Sequence, residues 1–334
     1  MESRPRGPRR CIVLGVGAQS ETNSSDNFGI TSMARILVSG ASGFVGRSLT
    51  SYLASLGHEV VKLVRSEKLE ERPSVVDSIY WNPEERKATP GDFEGFDAVF
   101  HLAGEPISAG RWTQSRKQKI LQSRTIGTYF LSQILSGLAQ PPKFFLSASA
   151  VGFYGDRGEE LLVEESQKGR GFLADVCSSW ERATAAIENR GVRTVHTRFG
   201  LVLGKGGALP KMVLAYKLGL GGRLGSGRQW ISWISLDDLI HAINYIWMKT
   251  SLEGAVNLVA PHPVRQKEFS QVLGQALHRP AKLAIPGWIL KLLLGEMAEE
   301  VLLASTLVRP RKLLDSGFSF SMPDLFDALR KALK

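Results

Sequence analysis

Two cysteines in 334 residues, Cys11 and Cys177, are too few for a disulfide framework or a cysteine-based metal site. They fit a reducing, cytoplasm-like compartment. None of the six histidines stands at metal-ligand spacing from another, so no metal is expected. The chain lacks a run of about 18 apolar residues, so no transmembrane helix and no membrane partner are expected. The nearest candidate, WILKLLLGEMAEEVLLA, is broken by Lys291, Glu296, Glu299 and Glu300. It reads as an amphipathic helix pair or one long helix with a buried face. There is no G-x-S-x-G elbow and no Walker loop, which removes esterase and ATPase readings.

What is present is an ordinary globular composition, 43% hydrophobic and 22% charged, with a net charge of +10. The basic residues are spread along the chain, with one dense tract at Arg309-Pro310-Arg311-Lys312. Nucleic acid is therefore not the expected partner, and a phosphorylated small molecule accounts for the excess more simply. Residues 1–32 are Arg-rich and then Ser/Asn-rich. They read either as a targeting segment or as a disordered extension ahead of Met33. Glu21 and Asp26 favour the second, because transit peptides are poor in acids.

From Arg35 onward, strand and helix patterns alternate. RILVSG, EVVKLVR, DAVFHLAG, KFFLSASA and VRTVHTRFG read as strands. VGRSLTSYLASLGH, the long WTQSRKQKILQSRTIGTYFLSQILSGLA and SSWERATAAIENRG read as helices. That order predicts an α/β fold with a Rossmann-type, doubly wound parallel sheet. A cofactor-binding domain over 33–204 is expected, followed by a smaller, mixed and mostly helical substrate domain over 205–334. The chain is expected to return to the sheet around 230–260.

The first strand runs into ILVSGASGFVG. Gly40, Gly43 and Gly46 stand at G-x-x-G-x-x-G spacing between a strand and a helix, the context a dinucleotide loop requires. A tight turn, a pyrophosphate close to bare backbone and a helix packed on a sheet each call for a residue without a side chain. The helix start then offers free N–H groups to phosphate. Ser42, Phe44 and Val45 complete the candidate loop. At the end of the second strand, VVKLVRS places Val64 and Arg65 where NAD-binding folds carry an acid. A guanidinium suits a 2′-phosphate that a carboxylate would repel. The expected cofactor is NADP(H).

GASGFVG, DAVFHLAG, SRTIGTYFL, FLSASAVGFYGD, TRFGLVLG and SWISLDDL, in this order, resemble the extended short-chain dehydrogenase/reductase superfamily of the NAD-dependent epimerase/dehydratase type. AGEPI, RWTQ, GLGGRLGSGRQW and the helical tail resemble more narrowly its sugar nucleotide epimerase-like proteins with a C-terminal domain of unknown function. The resemblance implies that Leu102, Ala103 and Gly104 end a strand beside the cofactor, though plain strand-end packing fits the same residues. It places Arg124 where many relatives carry Asn, either reaching cofactor phosphate or ribose or lying on a solvated helix face. Val202 would line the nicotinamide pocket.

Relatives with known chemistry use a Ser/Thr and a Tyr-x-x-x-Lys pair. Ser149 matches the Ser, with Ser147 as fallback. Aligning Glu181 puts Leu173 at the Tyr position and Cys177 at the Lys position, and neither can replace a phenol or an ammonium. Cys177 reads as a small packed residue rather than a nucleophile. Tyr245 and Lys249 have the spacing but fall on another helix. Tyr154 is the best remaining acid, and Glu105 the second. His101 reads as a core residue. Trp230 and Arg228 could close over a substrate, whereas Trp233 reads as core.

The implied function is an NADP(H)-binding atypical epimerase or oxidoreductase acting on a small carbonyl or nucleotide-sugar-like compound, with a homodimer as the candidate assembly. The alternative is a non-catalytic NADP(H)-sensing or structural protein. The expected outcome in calorimetry is a smaller Kd for NADPH than for NADH; equal or tighter NADH binding would contradict the role given to Arg65.

Overall fold

The computed structural model describes residues 33–65, 78–108 and 110–334. The extension expected over 1–32 lies outside the described residues. Seven strands form one parallel sheet: β1 (Arg35–Ser39), β2 (Glu59–Val64), β3 (Ser78–Tyr80), β4 (Ala98–His101), β5 (Phe144–Ala150), β6 (Arg193–Phe199) and β7 (Gly254–Leu258). Their order is β7-β6-β5-β4-β1-β2-β3. The strand order reverses at β1, with β2 and β3 to one side and β4 to β7 to the other. This is the Rossmann-type α/β architecture expected.

The two-residue period of a strand explains the layers. Ile36 and Val38 of β1, with Phe144 and Leu146 of β5, face one core under helices α1 (Phe44–Ser55) and α4 (Leu236–Met248). Leu37 and Phe145, one position along, face the opposite core under α2 (Gln114–Ser136). Leu131 and Leu135 of α2 are fully buried there. Each such leucine contributes about 1.5–3 kcal/mol over an exposed one. Between β5 and β6 runs α3 (Phe172–Arg182). The strand β7 lies beyond Gly204, so the chain returns to the sheet after the Gly-rich stretch.

A third core forms around the fully buried Trp233 with Phe269 and Leu273 of α5 (Gln266–Leu277) and Leu325 and Leu329 of the last helix, Leu325–Leu333. The stretch expected to form an amphipathic helix pair or one long buried-face helix forms two helical pieces. A helix ends at Leu294 and Gly295 takes a φ of +63°, which glycine adopts without strain. One π-helical turn, Ala298–Leu303, follows. Trp288 and Leu292 are each 67% exposed.

Asp238 ties the tail to the body. It is fully buried in the first turn of α4. Its Oδ1 accepts from the Ser321 amide at 2.7 Å, and its Oδ2 from the Met322 amide at 2.9 Å and the Ser235 hydroxyl at 3.0 Å. D238A removes both carboxylate oxygens and leaves these donors unmet. It is expected to lower unfolding free energy by about 2–3 kcal/mol, and D238N by less, in chemical denaturation followed by circular dichroism.

Candidate functional site

The site begins at the turn from β1 to α1. Gly40 has φ +69°, and its carbonyl accepts the Gly43 amide at 2.9 Å. A Cβ on Gly40 would stand 2.7 Å from the Leu102 carbonyl carbon, and one on Gly46 would stand 2.1 Å from the Gly40 oxygen. Neither position admits a side chain. Gly43 caps α1 with no side-chain hydrogen bond, and the first turn holds no acid. The leading N–H groups, with the helix dipole behind them, are thus left without an intrahelical or side-chain acceptor. Ser42 and Gly43 are exposed, and the Ser42 carbonyl accepts Arg47 Nη1 at 2.9 Å. The Phe44 ring turns away and packs on the glycine loop 204–207; a Cβ on Gly206 would meet it at 2.4 Å. Val45 packs against the first core. This cradle fits a pyrophosphate.

To one side, β2 ends at Val64, whose carbonyl accepts the Trp81 amide at 3.0 Å. Arg65 follows, exposed, with no hydrogen bond or ion pair to a described residue. To the other side, β4 ends in Leu102 and Ala103, whose amides reach the Ser39 hydroxyl at 3.1 and 3.4 Å. Gly104 faces Arg124, and a Cβ there would stand 3.4 Å from the guanidinium carbon. Arg124 is therefore not on a solvated helix face. Its Nη1 donates to the carbonyls of Glu105 and Ile120, and its plane lies 5.0 Å over the Trp180 ring. Val202 pairs with Ile234, packed on the first core. His101 is a core residue, bonded to Ser39 and Thr128. Burial pushes its pKa down to about 4, so it stays neutral.

Ser149, at the end of β5, is 2% exposed and donates to Glu181 Oε1 at 2.7 Å. Glu181 is gripped by both arms of Arg198, at 2.8 Å each. Arg198 Nη1 donates to the Tyr154 hydroxyl at 3.0 Å, and that hydroxyl donates to Asn257 Oδ1 at 2.7 Å. Tyr154 is fully buried, and burial raises its pKa. Its hydroxyl is taken up in a hydrogen-bond network with Arg198 and Asn257. Glu105, the second candidate, is paired with Arg116 at 2.7 Å. Ser147 is fully buried and donates to a backbone carbonyl. Cys177 is buried, and burial first of all pushes its thiol up to about 11, so it is no thiolate at neutral pH. Tyr245 donates to the Ser316 carbonyl at 2.5 Å, which accounts for it structurally. Trp230 is held by Glu159 at 3.0 Å and lies under Arg265 at 3.8 Å, so it acts as an anchor and not as a lid.

A cavity of about 330 Å³ is lined by Gly152, Asp156, Arg170, Leu173, Lys291, Glu299 and Glu300, among others. Leu173 forms its inner wall; a Cβ on Gly152 would lie 3.2 Å from it. Glu300 comes from the π-helical turn and accepts the Phe172 and Leu173 amides at 2.7 Å each, capping α3 in place of Gly171, which has no side chain. Sequence reasoning missed this cap and the Glu181–Arg198 hub, since both join residues remote in sequence. The one local signal was a helix start without a capping residue. Among the described residues no cluster of potential metal ligands occurs, and no helix is long and apolar enough to cross a membrane.

Comparison with known proteins agrees with this geometry. The model of the NAD dependent epimerase/dehydratase family matches residues 36–258. A domain of unknown function, DUF1731, matches residues 285–332. Epimerase family protein Mb2239 of Mycobacterium bovis is 37% identical over 299 residues, 89% of this chain and 96% of that protein. An Arabidopsis thaliana protein, the chloroplastic homolog of epimerase family protein SDR39U1, is 38% identical over 98% of this chain and 92% of its own. The crystal structure of human epimerase family protein SDR39U1 (isoform 2) with NADPH superimposes with a TM-score of 0.80 at 31% identity, covering 89% of this chain and 98% of that one.

Y154F leaves Asn257 without its donor. It is expected to cost about 1–2 kcal/mol in denaturant melts while leaving NADPH affinity within about twofold by calorimetry. A larger loss of affinity would place the phenol at the cofactor.

Proposed function

The chain belongs to the NAD dependent epimerase/dehydratase family, and from that premise we propose that it is an NADP(H)-binding, atypical oxidoreductase or epimerase of the short-chain dehydrogenase type. Its substrate would be a small carbonyl compound or the reduced form of one. The observation that carries this reading is the bare start of α1, where three glycines, an absent side-chain cap and an absent acid leave room and donors for a pyrophosphate. The exposed Arg65 beyond β2 supports NADP(H) over NAD(H), as does the NADPH in the human relative's structure.

In this reading Gly40, Ser42, Gly43, Phe44, Val45 and Gly46 hold the pyrophosphate by backbone. Val64 and Arg65 hold the adenosine ribose and its phosphate. Leu102, Ala103 and Gly104 wall the cleft, and Arg124 and Val202 bound its other half. When bound, the nicotinamide supplies a hydride donor or acceptor. Ser149, at the end of β5, is the residue assigned to steady the reacting oxygen. Its own proton is directed at Glu181, so proton delivery runs through that pair or solvent. The volume of about 330 Å³ stands at the small end of ligand pockets, which favours a sugar-sized molecule over a whole nucleotide sugar.

A second reading is an NADP(H)-holding protein without turnover. It is favoured by Leu173 and Cys177 at the acid and lysine positions and by the closed bonding of Tyr154. The expected outcome for the oxidoreductase is loss of bound NADPH absorbance with some member of a panel of aldehydes, ketones and sugar phosphates. S149A should slow that loss by about 100-fold with NADPH affinity unchanged. Tight binding without oxidation by any member would instead support the second reading.

A further inference from the structure

Arg124 is a cation without an anion. Its guanidinium is largely enclosed, and burial works against its charge, yet a guanidinium stays protonated in proteins. Its bonded partners are two backbone carbonyls, those of Glu105 and Ile120. The carboxylates around it are committed elsewhere. Glu105 is paired with Arg116 at 2.7 Å, and Glu181 is held by Arg198 at 2.8 Å. Glu300 accepts two amides at the start of α3. The neighbouring Cys177 is a neutral thiol. Buried charges are ordinarily paired, yet no carboxylate is bonded to Arg124, so the local field here is that of an unpaired guanidinium with one set of N–H groups unspent. Nε and Nη2 bond no described residue, and Nη2 faces the bare Cα of Gly104.

Topology says which part of a dinucleotide meets that field. The sheet reverses order at β1, and ligands of such sheets straddle the reversal at the strands' carboxyl ends. With the pyrophosphate at α1 and the adenosine end at Arg65 beyond β2, the second nucleotide lies over the ends of β4 and β5. Gly104 and Ser149 end or follow those strands, and Arg124 stands beside Gly104. The oxidised nicotinamide ring is cationic and the reduced ring is neutral. A fixed cation opposes the first and is indifferent to the second.

Building on the NADP(H) reading, we propose that Arg124 sets which redox form of the cofactor the protein holds, favouring NADPH over NADP+. The chain then keeps reduced cofactor bound until a substrate accepts its hydride, and the oxidised product is the form it releases.

The test is calorimetry of wild type, R124M and R124K with three ligands: NADPH, NADP+ and 2′-phospho-ADP-ribose, which lacks the nicotinamide. Wild type should bind NADPH about tenfold more tightly than NADP+. R124M should bring the two within about twofold by tightening NADP+, and R124K should keep most of the preference. Affinity for 2′-phospho-ADP-ribose should stay within about twofold throughout. An unchanged NADPH/NADP+ ratio in R124M overturns the proposal. So does a joint weakening of all three ligands, which would make Arg124 a phosphate anchor. If R124M fails to fold, equal affinities of wild type for the two redox forms overturn it. Binding of none of the three by wild type removes the NADP(H) reading itself, whereas equal redox affinities remove this inference alone.

Discussion

No side chain fits where β1 hands over to α1, and the rest of the site depends on that. The Gly40 oxygen stands 2.1 Å from where a Cβ of Gly46 would be, so α1 starts against the strand end with nothing between. The same contact brings Leu102 and Ala103 of the next strand up to Gly40, and the Ser39 hydroxyl fixes their amides. One close approach thereby sets the helix start, the strand end and the cleft floor together. The chemistry proposed for the cleft needs that floor to be bare backbone.

A second constraint shapes what the site can do. Glu181 and Arg198 form a bidentate pair that is largely withdrawn from water, and the strand-end polar groups are organised around it. Ser149 gives its proton to Glu181, Arg198 reaches Tyr154, and Tyr154 reaches Asn257 on the neighbouring strand. Breaking one member would leave buried partners unmet, at several kcal/mol for the ion pair. Polarity that in a redox site would face the reacting atoms is turned inward here.

Much of this was legible in the sequence, for a physical reason. The strands carry two-residue alternation on both faces, the helices stop at glycine or proline, and the loop Gly40–Gly46 has a spacing that few other structures require. Local patterns of this kind fix the sheet and the phosphate cradle. The bonding of Tyr154 was not legible, because sequence places it in a loop but says nothing of which way a ring points; a 3₁₀ turn, Val151–Tyr154, brings its hydroxyl to Asn257, 103 positions away. The bond from Trp230 to Glu159, 71 positions away, was hidden for the same reason. In the stretch from Trp288 the two helix readings could not be separated, because composition averages over Gly295, where the backbone changes direction.

The carboxylate of Glu300 has a consequence for how the two matched regions of the chain behave together. It belongs to the C-terminal region, yet it ends the helix that carries Leu173, Cys177 and Glu181. It also lines the cavity. A molecule entering there and a helix anchored there draw on the same acceptor. By reciprocity, whatever occupancy does to the helix anchor, the state of the helix anchor does to occupancy. Two hydrogen bonds thus make the start of α3 depend on a residue of the tail, and the cavity wall is built from both matched regions.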